Sequence, residues 1–509
     1  MTKIKKKTHI KINNLLILLV LISSLVVIYH IYLLGPIEKT IRIILVIAII
    51  IINIVFFNVK RTKSKGVAKF MMIVFIILNI FVSYSINKVY GIIDSINKNK
   101  TVYSTSLITM KNSKVNKIED VKKYKIGLIN DNLSIDNYTL ANEIIEKEKL
   151  KDKNEIVSYD DMLVMLNDLY SGKIDLMLVS SNYDVMFKNT EGFENIDSDV
   201  KVITTKEKTI KKDNSSFSFI AKNNEVKPFS ILLMGVDSEK DGLKKNAYAN
   251  GDGLMLLTFN PKTLNITMMS IPRDSYLPIS CRDNKRNKLT HAGWFGTDCM
   301  IETIENTFDV KINYYVKINF KGVVSLVDNL GGVTVDVPKR LCTDNSNRQG
   351  QICIEGGTQT LNGEQALVLA RNRYDLANGD IGRGYDQQIL IKGVINKMAD
   401  IKNVNTLLDL LETISNNLDT NLTTEEILSF YNIFKDILAS RKYQKTNDFL
   451  NMIQIRVNGD GKMIYFENLK QRLWTYQLDE DSVKKASNEM KINLNLNKAD
   501  MIKEFSFRP

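Results

Sequence analysis

Phe229-Ser-Ile-Leu-Leu-Met-Gly-Val-Asp237, Gly253-Leu-Met-Leu-Leu-Thr-Phe259 and Leu264-Asn-Ile-Thr-Met-Met-Ser-Ile-Pro-Arg-Asp274 follow one another closely, each an apolar run ending near Asp, Asn or Pro. Runs of this length between turn residues are predicted as buried strands. Similar runs lie at 313–318 and 333–337, and helical periodicity intervenes at 299–308 and 321–329. Further helices are expected at 363–370, 386–401, 404–417 and 424–440. The pattern predicts an α/β fold: a mixed sheet flanked by helices, with a mostly helical C-terminal part, over 228–477. Residues 478–509 are Asn/Lys-rich and are expected as a peripheral C-terminal tail.

Upstream, a Lys-rich stretch at 204–224 overlaps the linker, 211–227, to a smaller unit at 124–210. There, strands at 124–129, 155–159 and 174–179 alternate with helices at 138–150 and 160–170, which implies an α/β accessory domain with parallel pairing. Its pattern resembles half of a solute-binding protein, without a convergent set of charged ligands, and is read as a spacer or docking domain. Residues 87–123 are polar and expected as a stalk.

Three apolar runs, 15–34, 41–59 and 67–86, precede the stalk. Each approaches the roughly 20 residues a helix needs to cross a bilayer, so three transmembrane helices are expected over 15–86. A cleaved signal peptide would account for the first alone, and no small-residue cleavage site follows it. Residues 1–86 hold twelve Lys or Arg against Glu38, so about +1 of the chain's net +12 remains for 87–509. The basic tail 1–14 and the loop 60–65 are expected in the cytoplasm, which puts the large C-terminal region outside the cell. A nearly neutral outer region is not a nucleic-acid footprint.

All four cysteines fall in that outer region. An oxidising compartment favours two disulfides, and closeness in sequence favours Cys281–Cys299 and Cys342–Cys353, although four cysteines permit three connectivities. Zinc is disfavoured by the lack of CxxC spacing and by His291 being the sole nearby histidine.

Acids and arginines gather at the strand ends. Asp237 closes one apolar run, Asp252 opens the next, and Arg273-Asp274 closes the third. Two carboxylates suit a hard cation that also takes phosphate oxygens and water. Farther on come Arg371 and Arg373, which point the same way if the backbone is extended, and Arg383, expected just ahead of a helix. Arginine forks onto phosphate oxygens, and a helix N-terminus favours anions, so the group reads as a di- or polyphosphate clamp.

The order of short blocks resembles the LytR-CpsA-Psr (LCP) family. Met234-Gly-Val-Asp237, Gly251-Asp-Gly253, Met269-Ser-Ile-Pro-Arg-Asp274, Lys288-Leu-Thr-His-Ala292, Asn319-Phe320, Val327-Asp-Asn-Leu-Gly-Gly-Val333, Leu361-Asn-Gly-Glu-Gln-Ala366, Ala370-Arg-Asn-Arg373 and Gly379-Asp-Ile-Gly-Arg383 carry it. Three membrane helices and an accessory domain resemble that family's capsule-type branch. The resemblance implies a phosphotransferase that moves a polyprenyl-pyrophosphate-linked anionic glycopolymer, of teichoic acid or capsule type, onto peptidoglycan and releases polyprenyl phosphate. It implies an apolar channel for the polyprenyl chain, with Mg2+ (or Mn2+) on Asp237 and Asp252. Pyrophosphate would be held by Arg273, Arg371, Arg373, Arg383, Gln387 and Lys288. Asp380 would orient an arginine or take the proton of the acceptor hydroxyl, which makes Asp380, Arg371 and Arg373 the expected catalytic residues.

Two positions depart from the family pattern, Asn250 and Asp386, each standing where an arginine is usual. Losing one charge-assisted phosphate contact costs about 3 kcal/mol, or about 10²-fold in rate. Two other readings follow from the same residues: a polyprenyl-pyrophosphate hydrolase, with water in place of the sugar hydroxyl, and a non-catalytic membrane-anchored regulator. The small cytoplasmic portions weigh against the regulator.

Overall fold

The computed structural model describes residues 2–33, 39–59, 65–96, 100–132, 134–187, 190, 192–211, 227–238, 242–243, 250–346, 350–372, 380–401, 404–423, 426–427, 429–431, 450–466 and 471–496. Two compact units divide the chain: 1–97 with 402–412 and 422–443, and 98–401 with 413–421 and 444–509.

The first unit holds α1 (Thr2–Leu33), α2 (Lys39–Val59) and α3 (Lys65–Ile96). Leu15–Tyr32 and Gly66–Lys88 are long and apolar enough to cross a membrane, and the described apolar part of α2, Arg42–Asn58, is shorter. Large apolar side chains such as Leu25, Ile44 and Phe81 are exposed around these helices. Polar side chains meet between them instead: Asn79 donates to Ser23 at 3.0 Å, and Asn53 donates to Ser24 at 2.9 Å. Small hydroxyls and amides bonding across apolar helices are the contacts that join helices in lipid.

In the second unit the accessory sheet comprises β1 (Lys100–Met110), β2 (Lys125–Ile129), β3 (Glu155–Tyr159), β4 (Leu176–Ser180) and β5 (Val200–Lys211), in the order β3-β2-β4-β1-β5. Helices α4 (Ala141–Lys147), α5 (Met162–Tyr170), α6 (Tyr183–Phe187) and α7 (Ile196–Asp199) accompany it, with a π-helical turn at Ile135–Leu140. The parallel pairs β2–β3 and β2–β4 are those expected from strand–helix alternation. The stalk expected at 87–123 is corrected, because 100–110 pairs antiparallel with 200–211 as β1–β5, while the expected linker, 211–227, lies almost wholly outside the described residues. The Ser, Thr and Lys content of the two strands hid them. Ser104, Thr105, Ser106 and Thr109 are buried, yet each hydroxyl has a partner: that of Thr109 donates to the Asp175 carbonyl at 2.7 Å, and those of Ser106 and Thr205 bond each other at 2.9 Å, for example. A hydroxyl satisfied in this way is cheap to bury.

The larger sheet uses β6 (Phe229–Val236), β7 (Gly253–Asn260), β8 (Asn265–Ile271), β11 (Tyr314–Asn319), β16 (Leu418–Thr420) and β17 (Asn451–Ile455). Its order is β16-β11-β6-β7-β8-β17, a mixed sheet as expected. Small hairpins surround it: β9 (Tyr276–Pro278) with β10 (Arg286–Lys288), β12 (Val333–Val337) with β15 (Gly357–Leu361), β13 (Leu341–Asp344) with β14 (Gln351–Ile354), and β18 (Gly459–Phe466) with β19 (Gln471–Leu478). Thus 333–337 is a strand, but in a hairpin and not in the main sheet. Helices of this unit are α8 (Thr297–Phe308), α9 (Phe320–Asn329), α10 (Gly363–Arg371), α11 (Asp380–Ala399) and α13 (Glu480–Asn493), whereas α12 (Val404–Ile414) falls mostly in the first unit. The expected helix at 424–440 falls largely outside the described residues.

One sheet face is closed. Leu232, Met234, Leu256, Met269 and Tyr315 pack with Met300 and Ile304 of α8 and with Ala486 and Met490 of α13. The tail expected as peripheral is therefore part of the core. Val483, Ala486, Met490 and Leu494 recur at helical spacing, and Asn493 donates to the Thr258 hydroxyl at 2.8 Å. On the opposite face, Ile231 and Leu233 of β6 and Val316 and Ile318 of β11 are only half-buried.

Candidate functional site

β6 and β7 run antiparallel with Gly235 opposite Gly253, and Asp252 N–H donates to the Gly235 carbonyl at 3.0 Å. Asp237 leaves β6 and Asp252 enters β7 at this same edge, so the two acids stand at adjacent strand ends. Both are buried, at 8% and 7% exposure. The next strand brings Arg273, whose guanidinium pairs with the Asp252 carboxylate. Arg383 lies inside the first turn of α11, not ahead of the helix as expected, and donates to the Asp252 backbone carbonyl at 2.8 Å. One turn later Gln387 covers Gly253 and donates to the Ala370 carbonyl at 3.1 Å, tying α11 to the end of α10.

Close approach of α11 to the sheet needs Gly384. A Cβ there would sit 2.8 Å from the Ser270 Cβ, while the Ser270 hydroxyl donates to the Gly384 carbonyl at 2.9 Å. Gly384→Ala is expected to push α11 off β8 and lower stability by about 1–3 kcal/mol, read as a lower urea midpoint with an unchanged slope. A wild-type midpoint would show that the contact has slack.

Lys288 does not stand open to a ligand. Its ammonium pairs with Asp274 at 2.9 Å, and Arg273 lies 3.7 Å from the other Asp274 oxygen. Burial pushes the Asp274 carboxyl up, but Lys288 and Arg273 outweigh it and hold it below its ordinary value. The row Lys288–Asp274–Arg273–Asp252 alternates in sign, so each of these largely shielded charges has an opposite neighbour. Beside it His291 stacks on Trp294 and donates from Nδ1 to the Asn287 amide oxygen at 2.8 Å, and burial with the Lys288 charge pulls its pKa down to about 3. A neutral, stacked imidazole is a packing element. Sequence reasoning passed over the role of Asp274, although it was visible as the partner of the Arg273-Asp274 dipeptide.

Arg371 departs from expectation. It is the last residue of α10, so the backbone is helical and not extended there. Its guanidinium lies 4.3 Å over the Phe320 ring and donates to the Asp344 and Asn345 carbonyls at 3.3 and 3.4 Å. Those carbonyls belong to the β13–β14 hairpin and the turn after β13, where Cys342 faces Cys353 in a disulfide. The other disulfide joins Cys281 and Cys299. Arg373 and the side chain of Asp380 lie outside the described residues.

The two departures from the family pattern have structural uses. Asn250 donates to the Met186 carbonyl at 2.8 Å and accepts from the Trp294 indole at 2.6 Å, joining the accessory sheet's α6 to the larger domain. Arg282 adds a pair with Asp131 at 3.3 Å, and Phe187 packs edge-on to Trp294. Asp386 is buried with no hydrogen-bond partner at its Oδ2 among the described residues. Burial pushes its carboxyl from the ordinary 3.8 to about 7, with Lys339 opposing. Folding then favours the neutral acid, so stability falls as pH rises from about 4 to about 7 and stays low above. Asp386→Asn is expected to stabilise the protein at pH 8 by about 1–2 kcal/mol and hardly at pH 4, measured by denaturant titration. Equal gains at both pH values would contradict a buried, neutral carboxyl.

Among the described residues no group of three or more His, Cys, Asp or Glu could hold a metal. Asp237 and Asp252 still fit Mg2+, which takes one or two carboxylates and completes its shell with water and phosphate oxygens. They do not fit a metal that demands three or four protein ligands.

Two buried acids, Asp237 and Asp252, and two arginines, Arg273 and Arg383, thus gather at one edge of a mixed α/β sheet. The LytR_cpsA_psr family model matches residues 193–492, and the chain belongs to that family. It is 36% identical over 270 residues to a protein of Bacillus licheniformis named polyisoprenyl-teichoic acid–peptidoglycan teichoic acid transferase TagU, covering 53% of this chain and 78% of that one. The Bacillus subtilis protein of the same name is 36% identical over 273 residues, covering 53% and 79%. The crystal structure of Bacillus subtilis TagV aligns at 26% identity with a TM-score of 0.44, over 54% of this chain and 99% of that chain.

Proposed function

We propose that the chain is a membrane-anchored transferase that moves a polyprenyl-pyrophosphate-linked anionic glycopolymer, such as teichoic acid or capsule, onto peptidoglycan. The observation that carries the reading is the meeting of Asp252, Arg273 and Arg383 at the strand edge that also presents Asp237. Family membership and the printed activity of the TagU relatives support it. The half-buried row Ile231, Leu233, Val316 and Ile318 offers an apolar surface for the polyprenyl chain on the same sheet. Three N-terminal crossings, with Lys-rich ends in the cytoplasm, hold the catalytic unit outside the cell where peptidoglycan lies.

In the reaction an acceptor sugar hydroxyl attacks the sugar-side phosphorus, and the oxygen of polyprenyl phosphate leaves in line with it. The hydroxyl proton passes to a base, for which Asp380 is the candidate. Mg2+ or Mn2+ held by Asp237 and Asp252 would neutralise pyrophosphate charge. Arg273 and Arg383 orient the pyrophosphate and stabilise the charge that develops on its oxygens, Gln387 fixes the corner between α10 and α11, and Arg371 and Arg373 extend the clamp. Positioning and charge neutralisation are most of what phosphoryl transfer requires.

Product analysis tests the proposal. The purified chain in detergent, given lipid-linked polymer and uncross-linked peptidoglycan, should make polymer covalently bound to glycan. Free polymer alone would identify a hydrolase, and unchanged donor would remove the catalytic reading.

A further inference from the structure

Beside Asp252, Arg273 and Arg383 opens a cavity of about 300 Å³, and its far wall belongs to none of the groups assigned above. That wall is Tyr385 of α11, Arg456 and Asn458 after β17, Gly459 and Tyr476. The Arg456 guanidinium lies over the Tyr385 ring, 4.3 Å from its centre. Arg456 and Asn458 are exposed, Tyr385 is half-buried and Tyr476 is buried. Burial raises the pKa of both tyrosines, so their hydroxyls stay protonated as donors.

The sheet order gives the cavity its direction. The half-buried apolar row lies on β11 and β6, Asp252 opens β7, and the cavity sits over β8 and β17. Ser270, on the same face as that row, lines the cavity and touches α11. A phosphorus held at Asp252 thus has the greasy surface on one side and the cavity on the other. In-line displacement requires nucleophile and leaving group on opposite sides of phosphorus. A leaving group drawn toward β6 and β11 obliges the nucleophile to arrive from β8 and β17.

We propose that this cavity is the acceptor subsite, holding the pyranose of peptidoglycan whose hydroxyl attacks the phosphorus. The assignment rests on the transferase reading above. Its chemistry fits a sugar: a guanidinium, an amide and two tyrosines line a space at the lower end of ligand-pocket size. Arg456 and Asn458 bond ring substituents, and Tyr385 and Tyr476 supply rigid walls with polar tips. Ser270 and Gly384 close the floor.

The test is steady-state kinetics of the full chain in detergent, with lipid-linked polymer as donor and uncross-linked glycan strands as acceptor. Arg456→Ala is expected to raise the acceptor KM about tenfold, the loss of one charge-assisted contact, with donor KM within about twofold. Arg456→Lys, which keeps the charge without the planar fork, should fall between wild type and alanine. A raised donor KM with unchanged acceptor KM makes the cavity a donor-polymer site and overturns the assignment. So does an unchanged acceptor KM in both variants while the wild type transfers normally. A wild type that yields only free polymer instead removes the transferase reading, and the subsite with it.

Discussion

Asp252→Ala is expected to lower polymer transfer by about 10³-fold or more, because one carboxylate serves two functions there. It is the partner of Arg273, and in the proposed reaction it is half of the cation seat. Removing it leaves Arg273, 13% exposed at its side chain, without that countercharge. Breaking such a pair costs about 3–5 kcal/mol of stability, so loss of activity in the alanine variant alone could be a folding defect. Asp252→Asn resolves this. The amide keeps the volume and can still face Arg273, so the melting temperature should stay near wild type while transfer falls by about 10²–10³-fold. Wild-type transfer in the asparagine variant would take Asp252 out of the chemistry.

The second large effect is far from the site. Truncation after Leu478 removes α13 and is expected to abolish cooperative folding of the second unit. Ala486 and Met490 are almost fully buried against the sheet, and Val483 and Leu494 pack around them. Each large apolar side chain buried contributes about 1.5–3 kcal/mol, and a domain's whole stability is about 5–15 kcal/mol. Losing the helix also uncovers Leu256, Met269 and Met300. Met490→Ala alone should cost about 2–5 kcal/mol and leave a folded, weakened protein. Near-ultraviolet circular dichroism and urea titration read both. A truncated chain that melts like wild type would return α13 to the status of a tail.

The sequence was easiest to read where apolar strands end in acids. β6, β7 and β8 are continuous apolar runs with Asp or Asn at their limits, and each strand lies within a residue or so of its expected bounds. Asp252, Arg273 and Arg383 meet because those strands are neighbours. Polarity misled elsewhere. β1 and β5 are rich in Ser, Thr and Lys, and the buried hydroxyls of β1 are satisfied by long-range partners such as Asp175 and Thr205, which no local pattern reveals. α13 carries a sparse apolar stripe diluted by Lys, Glu and Asn, so composition concealed its buried side. The helix α11 begins six residues before its expected start, since Gly382 and Gly384 read as loop residues although Gly384 is needed for contact with Ser270. Arg371 depends on a hairpin nearly 30 residues upstream, beyond the reach of a spacing argument. Asn250 shows the same limit: its amide serves the accessory domain, a use invisible until the two domains are seen together.

The central claim is that the Asp237–Asp252 edge, with its arginines, holds a lipid pyrophosphate beside a divalent cation. A crystal structure of the chain with a polyprenyl pyrophosphate and Mg2+ measures this directly. The account predicts pyrophosphate density against Arg273 and Arg383, with the cation on Asp237 and Asp252 and the polyprenyl chain along Ile231, Leu233 and Val316. Pyrophosphate bound away from Asp252, or a cation seated on other residues, would contradict it.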